Sequence, residues 1–146
     1  MISINEGNNT ISALQACVTA DLTQQYINYS IDGSNYSYSS PANTISQSSD
    51  YNTHFTYIGA SVQPYTEDVF ISFYNNGIGV GSSNFLDEFH CPQLQWSIVP
   101  PIYVSITEYG PVGGYLSGYF AGKVEKSSTD TTAHDVICNF RVKRNQ

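Results

Sequence analysis

Residues 102–143 read IYVSITEYGPVGGYLSGYFAGKVEKSSTDTTAHDVICNFRVK, and the fold turns on this stretch. In 102–108 the even positions Ile102, Val104 and Ile106 are apolar. In 115–124 they are Leu116, Phe120 and Val124, and in 135–143 they are Val136, Cys138, Phe140 and Val142. Successive side chains on a strand point to opposite faces, so an alternating pattern marks a strand with one buried face. Three such strands sharing one buried parity describe an antiparallel meander, dry on one side and wet on the other. Gly110-Pro111-Val112-Gly113-Gly114 joins the first two strands, and the polar run 125–134 joins the last two. Gly118 and Gly122 fall on the inward parity, where a missing side chain permits a bulge or a close approach.

Upstream, Tyr26-Ile27-Asn28-Tyr29-Ser30-Ile31 alternates and is followed by Asp32-Gly33-Ser34-Asn35 and Tyr36-Ser37-Tyr38, a hairpin signal. Segments 52–60 and 68–74 also alternate, the second with Val69, Ile71 and Phe73 on one face. Ser82-Ser83-Asn84 ahead of Phe85-Leu86-Asp87-Glu88-Phe89 predicts a capped single helical turn. Segment 10–22 fits either a helical stripe (Ile11, Leu14, Val18, Leu22) or a short strand. Eight or so short strands in 146 residues predict an all-β chain, an antiparallel β-sandwich with a C-terminal three-strand meander and at most one short helix. A sandwich is preferred to a closed barrel because two sheets can interleave many large inward aromatics. The whole of 1–146 is expected to form a single domain, with 1–25 an N-terminal segment of ambiguous pattern.

Composition narrows the partners. Only 12% of residues are charged, 12 Tyr and 7 Phe supply buriable surface, and the net charge is −7. Residues 1–122 contain no Lys or Arg but nine carboxylates, whereas 123–146 hold five bases and three acids. Nucleic-acid binding needs basic residues that neutralise phosphates, and an anionic membrane surface asks for the same, so neither partner is expected. No apolar run has the length of a membrane span, and Met1 leads into a polar stretch unlike a signal peptide. The chain is then either cytoplasmic or a mature fragment whose leader has been left out, and low charge with abundant Ser, Thr, Asn and Tyr favours the second, an extracellular or cell-surface domain. Cys17, Cys91 and Cys138 are too few for a disulfide framework and too widely spaced for a zinc motif, and are expected to be buried or free.

YSIDGSNY at 29–36, VSITEYGPVGGYLSGYFAGKV at 104–124 and CNFRVKR at 138–144 together resemble the β-sandwich domains of secreted proteins and lipoproteins of Bacteroidota, over roughly residues 26–144. Members of that group are mostly of unknown function. The resemblance implies a fold and a cell-surface location, and brings no catalytic residues with it.

The chemistry-bearing residues give few motifs. His54, His90 and His134 lie in no metal-binding pattern, His90-Cys91 would point apart on a strand, and no Gly-x-Ser-x-Gly elbow or phosphate loop occurs. Glu67-Asp68 and Asp87-Glu88 are paired carboxylates of the type glycoside hydrolysis uses, though turns are also where solvated acids collect. Asp32, Asn35, Asp50 and the acid pairs are hard oxygen donors suited to calcium, but without the dense spacing of a calcium loop. If inward residues of the meander are matched, Ile106 faces Leu116 and Ile102 faces Phe120, so that Tyr103, Tyr119 and Arg141 form a row on the wet face. With Tyr115 and Trp96 these residues are the candidate ligand surface, a platform for a sugar ring or a protein. The same row can equally serve as a ladder that only stabilises the sheet. The leading expectation is a non-catalytic extracellular module binding carbohydrate or protein through Tyr-rich surface. A fibre or envelope subunit that self-associates through its acidic body and basic C-terminal strand is the second, and a glycoside hydrolase the third.

Overall fold

The computed structural model describes residues 24–63, 66–75, 77–94 and 100–146. The ambiguous segment 10–22, Cys17 and Trp96 lie outside the described residues. Nine strands follow one another: β1 (Tyr26–Ile31), β2 (Ser34–Ser39), β3 (Thr44–Asp50), β4 (Phe55–Ser61), β5 (Val69–Tyr74), β6 (Ser83–His90), β7 (Tyr103–Tyr109), β8 (Tyr115–Glu125) and β9 (Ala133–Lys143). The β1–β2 hairpin turns on Asp32 and Gly33, both at positive φ (49° and 83°), the backbone of a tight two-residue turn whose twist suits paired strands.

All nine strands join one antiparallel sheet in the order β2-β1-β9-β8-β7-β6-β5-β4-β3. β2 and β3 are consecutive in the chain yet stand at opposite ends of that order. Laid flat, nine strands at about 4.8 Å spacing would hold these ends roughly 38 Å apart. Residues 40–43 are the whole connection, and five extended steps of chain reach only about 18 Å. The sheet must therefore roll over until its ends approach. Asn145, just beyond β9, secures the roll by donating from its backbone N–H to Gln47 Oε1 (2.8 Å) and from Nδ2 to the Gln47 carbonyl on β3 (3.1 Å). The antiparallel two-layer packing expected from the sequence is thus realised by halves of a single sheet, rolled nearly into a barrel.

The shared parity of the meander is its interior. Val104, Phe120 and Phe140 are at most 1% exposed, whereas Tyr103 and Tyr119 are 54% and 52% exposed. Ile27, Tyr29 and Ile31 of β1 and Val69, Ile71 and Phe73 of β5 are buried in the same core. The halves meet through rings, Phe73 against Phe140 (6.1 Å between centroids) and Phe89 edge-on to Phe120 (5.3 Å). Each fully buried ring contributes on the order of 2–3 kcal/mol of transfer free energy.

Two expectations fail, one at a bulge in β6 and one in the register of the meander, which is displaced by two residues on both sides of β8. Residues 85–89 are not a helical turn; they belong to β6, and no helix occurs among the described residues. Ser72 pairs with Glu88 and Phe73 with Leu86, so Asp87 is a bulge residue that moves the buried parity from Asn84 and Leu86 to Phe89 and Cys91. The resulting i, i+3 spacing of Leu86 and Phe89 imitates a helix. The second bulge is in β7, where Ile106 pairs with Gly118 but Glu108 pairs with Ser117. Ile106 does not face Leu116, and Tyr119 lies between Ser105 and Asn139 rather than between Tyr103 and Arg141.

Gly118 is the point of closest packing. A Cβ there would lie 2.7 Å from the Ser105 carbonyl oxygen and 2.8 Å from Phe140 Cζ, and a backbone carbonyl and a buried ring have little freedom to retreat. Gly118→Ala is expected to lower stability by about 1–3 kcal/mol, the usual cost of overpacking a filled core. Denaturant midpoints measure it, and an unchanged midpoint would show that the interior is looser than described.

Candidate functional site

The outer face of β2-β1-β9-β8-β7 carries the odd-numbered side chains of the meander. One cross-strand row runs Ser37, Asn28, Asn139, Tyr119, Ser105 over five strands. The neighbouring row is Asn35, Ser30, Ile137, Ala121. Between these rows the roll of the sheet leaves a groove of about 370 Å³, lined by Asn28, Ser30, Asn35, Ser37, Ile137 and Asn139 with the backs of Tyr29 and Tyr36. No charged side chain lines it. Ser37 Oγ donates to Asn28 Oδ1 (2.6 Å), which orients that carboxamide. Ile137 is 60% exposed, and Tyr119, opposite Asn139, offers a half-exposed ring beside the groove.

Charged groups flank this region already neutralised. On one side Arg141 donates from Nε to Glu108 Oε2 (2.9 Å) and from Nη2 to Oε1 (3.1 Å), a two-point fork that Ser117 Oγ reinforces (2.6 Å to Oε2). The Arg141 guanidinium also covers the Tyr115 ring at 3.7 Å, so its cation–π partner is Tyr115 and not Tyr119. The hydrogen bonds from Arg141 and Ser117 hold the Glu108 carboxyl below its ordinary range against a desolvation that pushes upward, and the same bond raises Arg141. On the other side Lys123 donates to Asp135 (2.6 Å), and Asp32 accepts from the Asp135 N–H (2.9 Å) and lies 2.7 Å from His134 Nδ1. Those contacts, that of His134 first, keep Asp32 below the usual carboxylate range.

The candidate residues therefore separate. Tyr115 and Arg141 come together, but as parts of an ion-paired stack. Tyr119 borders the groove. Tyr103 lies edge-on to Phe85 (6.1 Å) on the β6–β7 side. Sequence reasoning singled out Asn35 only as an oxygen donor and missed Asn28, Ser37 and Asn139; their signal was the outward parity of β1, β2 and β9, legible only once those strands are known to be neighbours. It also missed an aromatic run on the outer face of β4-β5-β6, where Phe55, Tyr57, Phe70 and His90 stack in sequence at 5.3–6.3 Å.

Four of the other candidate acids are occupied locally. Asp68 Oδ2 accepts the Val62 N–H (2.7 Å), Asp87 accepts from Ser72 Oγ (3.2 Å), Glu88 lies 3.2 Å from His90 Nδ1, and Asp50 accepts the N–H of Asn52 (2.9 Å). Among the described residues no group of three His, Cys, Asp or Glu is arranged to hold a metal ion. Cys91 and Cys138 are free and buried, and burial pushes both thiols up, Cys138 strongly; a raised thiol is a poor nucleophile at neutral pH. Among the described residues no helix is long and apolar enough to cross a membrane. Comparison of the chain with protein-family models, curated proteins and solved structures gave no match.

The Glu108 carboxyl has its folded pKa below the ordinary 4.5, so its contribution to stability is present above about that pH and is lost as pH falls through the depressed folded value. Glu108→Gln should therefore differ most from the parent near neutrality and converge on it in acid. Denaturant midpoints across that range check this, and a constant difference would show that the fork carries no ionic stabilisation.

Proposed function

We propose that this protein is a non-catalytic carbohydrate-binding module whose site is the uncharged groove on the outer face of β1, β2, β8 and β9. The observation that carries the reading is the pairing of amides and hydroxyls with apolar surface. The carboxamides of Asn35 and Asn139 make no hydrogen bond to described residues, and each offers both donors and an acceptor. A sugar ring presents hydroxyls around its rim and C–H groups on its faces. The first match Asn28, Asn35, Ser37 and Asn139, and the second match Tyr119 and Ile137. A neutral glycan is favoured over a charged one, because the flanking cations and anions are bonded to each other. A protein partner is less well served by a groove at the lower end of the size range of small-molecule sites.

The site sits on strands, and its residues alternate with core residues that fix their direction. A ligand thus meets a surface already shaped, with little ordering cost. Location outside the cell or at its surface is part of the proposal and follows from the motif resemblance and the low charge.

A glycan array with the isolated chain should return neutral oligosaccharides. Tyr119→Ala and Asn139→Ala should each weaken the best of them about tenfold or more, which corresponds to about 1.4 kcal/mol. Both positions face solvent, so thermal melting should hardly move. Binding that is unchanged in both variants would remove the groove from the account.

A further inference from the structure

We infer a second, anion-specific site at the end of the barrel where β3, β4, β5 and the C-terminal residues meet, with a uronic acid, an acidic monosaccharide, as its ligand class. A cavity of about 170 Å³ opens there, lined by Ser49, Tyr51, His54, Asn75, Ile78, Tyr109 and Arg144 among others. It shares no residue with the groove, so neither site depends on the other.

Arg144 carries the argument. Of the five bases in the chain, Arg141 and Lys123 are bonded to carboxylates. Arg144 makes no ion pair to a described side chain. Its guanidinium instead lies over the Tyr109 ring at 4.2 Å, and it donates to the Gly110 carbonyl and, at 3.4 Å, to an oxygen of Gln146. The Gly110 carbonyl and the Tyr109 ring face hold its direction without cancelling its charge. In a protein of net charge −7 whose first 122 residues hold no Lys or Arg, a fixed guanidinium without a carboxylate partner among the described side chains, facing a cavity, is a local exception. Its planar fork matches a carboxylate.

The remaining walls define what the carboxylate is attached to. His54 stands at the rim with a left-handed backbone (φ 59°), a conformation a non-glycine residue rarely adopts and one that recurs at binding sites. Asp50, the carboxylate that interacts with His54, is turned into its own loop, accepting the N–H groups of Asn52 and Thr53. Tyr51, exposed at the opening, Ser49 and Tyr109 add hydroxyls, while Ile78 and the tyrosine rings supply apolar wall. Hydroxyls, an apolar wall and one cation in a space below drug-sized pockets fit one polyhydroxylated acid. They do not fit a bare inorganic ion, which would leave the apolar wall without a partner.

Titration calorimetry with sodium glucuronate, glucose and inorganic phosphate on the full chain tests this. A galacturonate oligosaccharide in a fourth arm distinguishes a free acid from the end of a glycan. Glucuronate or the oligosaccharide should bind at least tenfold tighter than glucose or phosphate, and Arg144→Gln should remove that preference. Because Arg144→Gln also loses the Tyr109 stack, Tyr51→Ala serves as a second variant; its ring is exposed, so its melting temperature should match the parent while acid binding weakens several-fold. Equal binding of glucose, equal or tighter binding of phosphate, or acid binding indifferent to both substitutions would overturn the proposal.

Discussion

A connection of four residues between β2 and β3 imposes the shape on which everything else rests. The two strands it joins are the outermost of a nine-strand sheet, and so short a link cannot span a flat sheet of that width. Rolling is therefore a consequence of covalent geometry, and the hydrophobic effect is satisfied by the same movement. The inward parity of every strand converges on one core while the outward parity is spread over a curved exterior. The residues that allow so tight a roll are small. Gly118 leaves room for Phe140 and Ile106, and Gly122 for Ile102, whose Cδ1 would stand 2.7 Å from a Cβ at that position.

The exterior divides by chemistry. β1, β2 and the outer faces of β8 and β9 present amides, hydroxyls and two apolar side chains. The bases of β8 and β9 that flank this region, Lys123 and Arg141, are each bonded to an acid within the same molecule. That internal pairing weakens the idea of an assembly held by attraction between an acidic body and a basic C-terminal strand, because two of the five bases are already engaged at home. It also leaves a face without net attraction for charged ligands, and the proposal of a neutral glycan rests on that. Arg144 stands apart, held by the Tyr109 ring and the Gly110 carbonyl.

Much of the fold was legible where one period held without interruption. The strands at 26–31, 69–74 and 103–143, the buried even parity of the meander and the Asp32-Gly33 turn all follow from alternation and turn chemistry. Legibility ended at insertions. Asp87 and the residue between Ile106 and Glu108 each shift a strand by one, and no local propensity marks a bulge whose cause is the fit of distant strands. The candidate site was lost to register, which the loops between strands set and alternation does not. Tyr103, Tyr119 and Arg141 were correctly read as outward, but the row they were assigned to is two residues out of register on both sides of β8, where Tyr119 pairs with Ser105 and Asn139. Arg141 moved to Tyr115, and Tyr119 acquired Asn139 as its neighbour. The pairing of β1 with β9, which assembles the groove, joins residues more than a hundred positions apart and leaves no trace in local pattern.

Closure of the sheet through Gln47 and Asn145 is the feature that most directly separates this account from an open sheet or two unrelated layers. Nuclear Overhauser contacts in the isolated, isotope-labelled protein measure it. Cross-peaks from the Asn145 amide groups to Gln47, together with ring-to-ring contacts between Phe73 and Phe140, are the predicted result. Strong contacts within each β-ladder but none between Gln47 and Asn145 or between those rings would contradict it, and would take the curved outer face and its groove away with the roll.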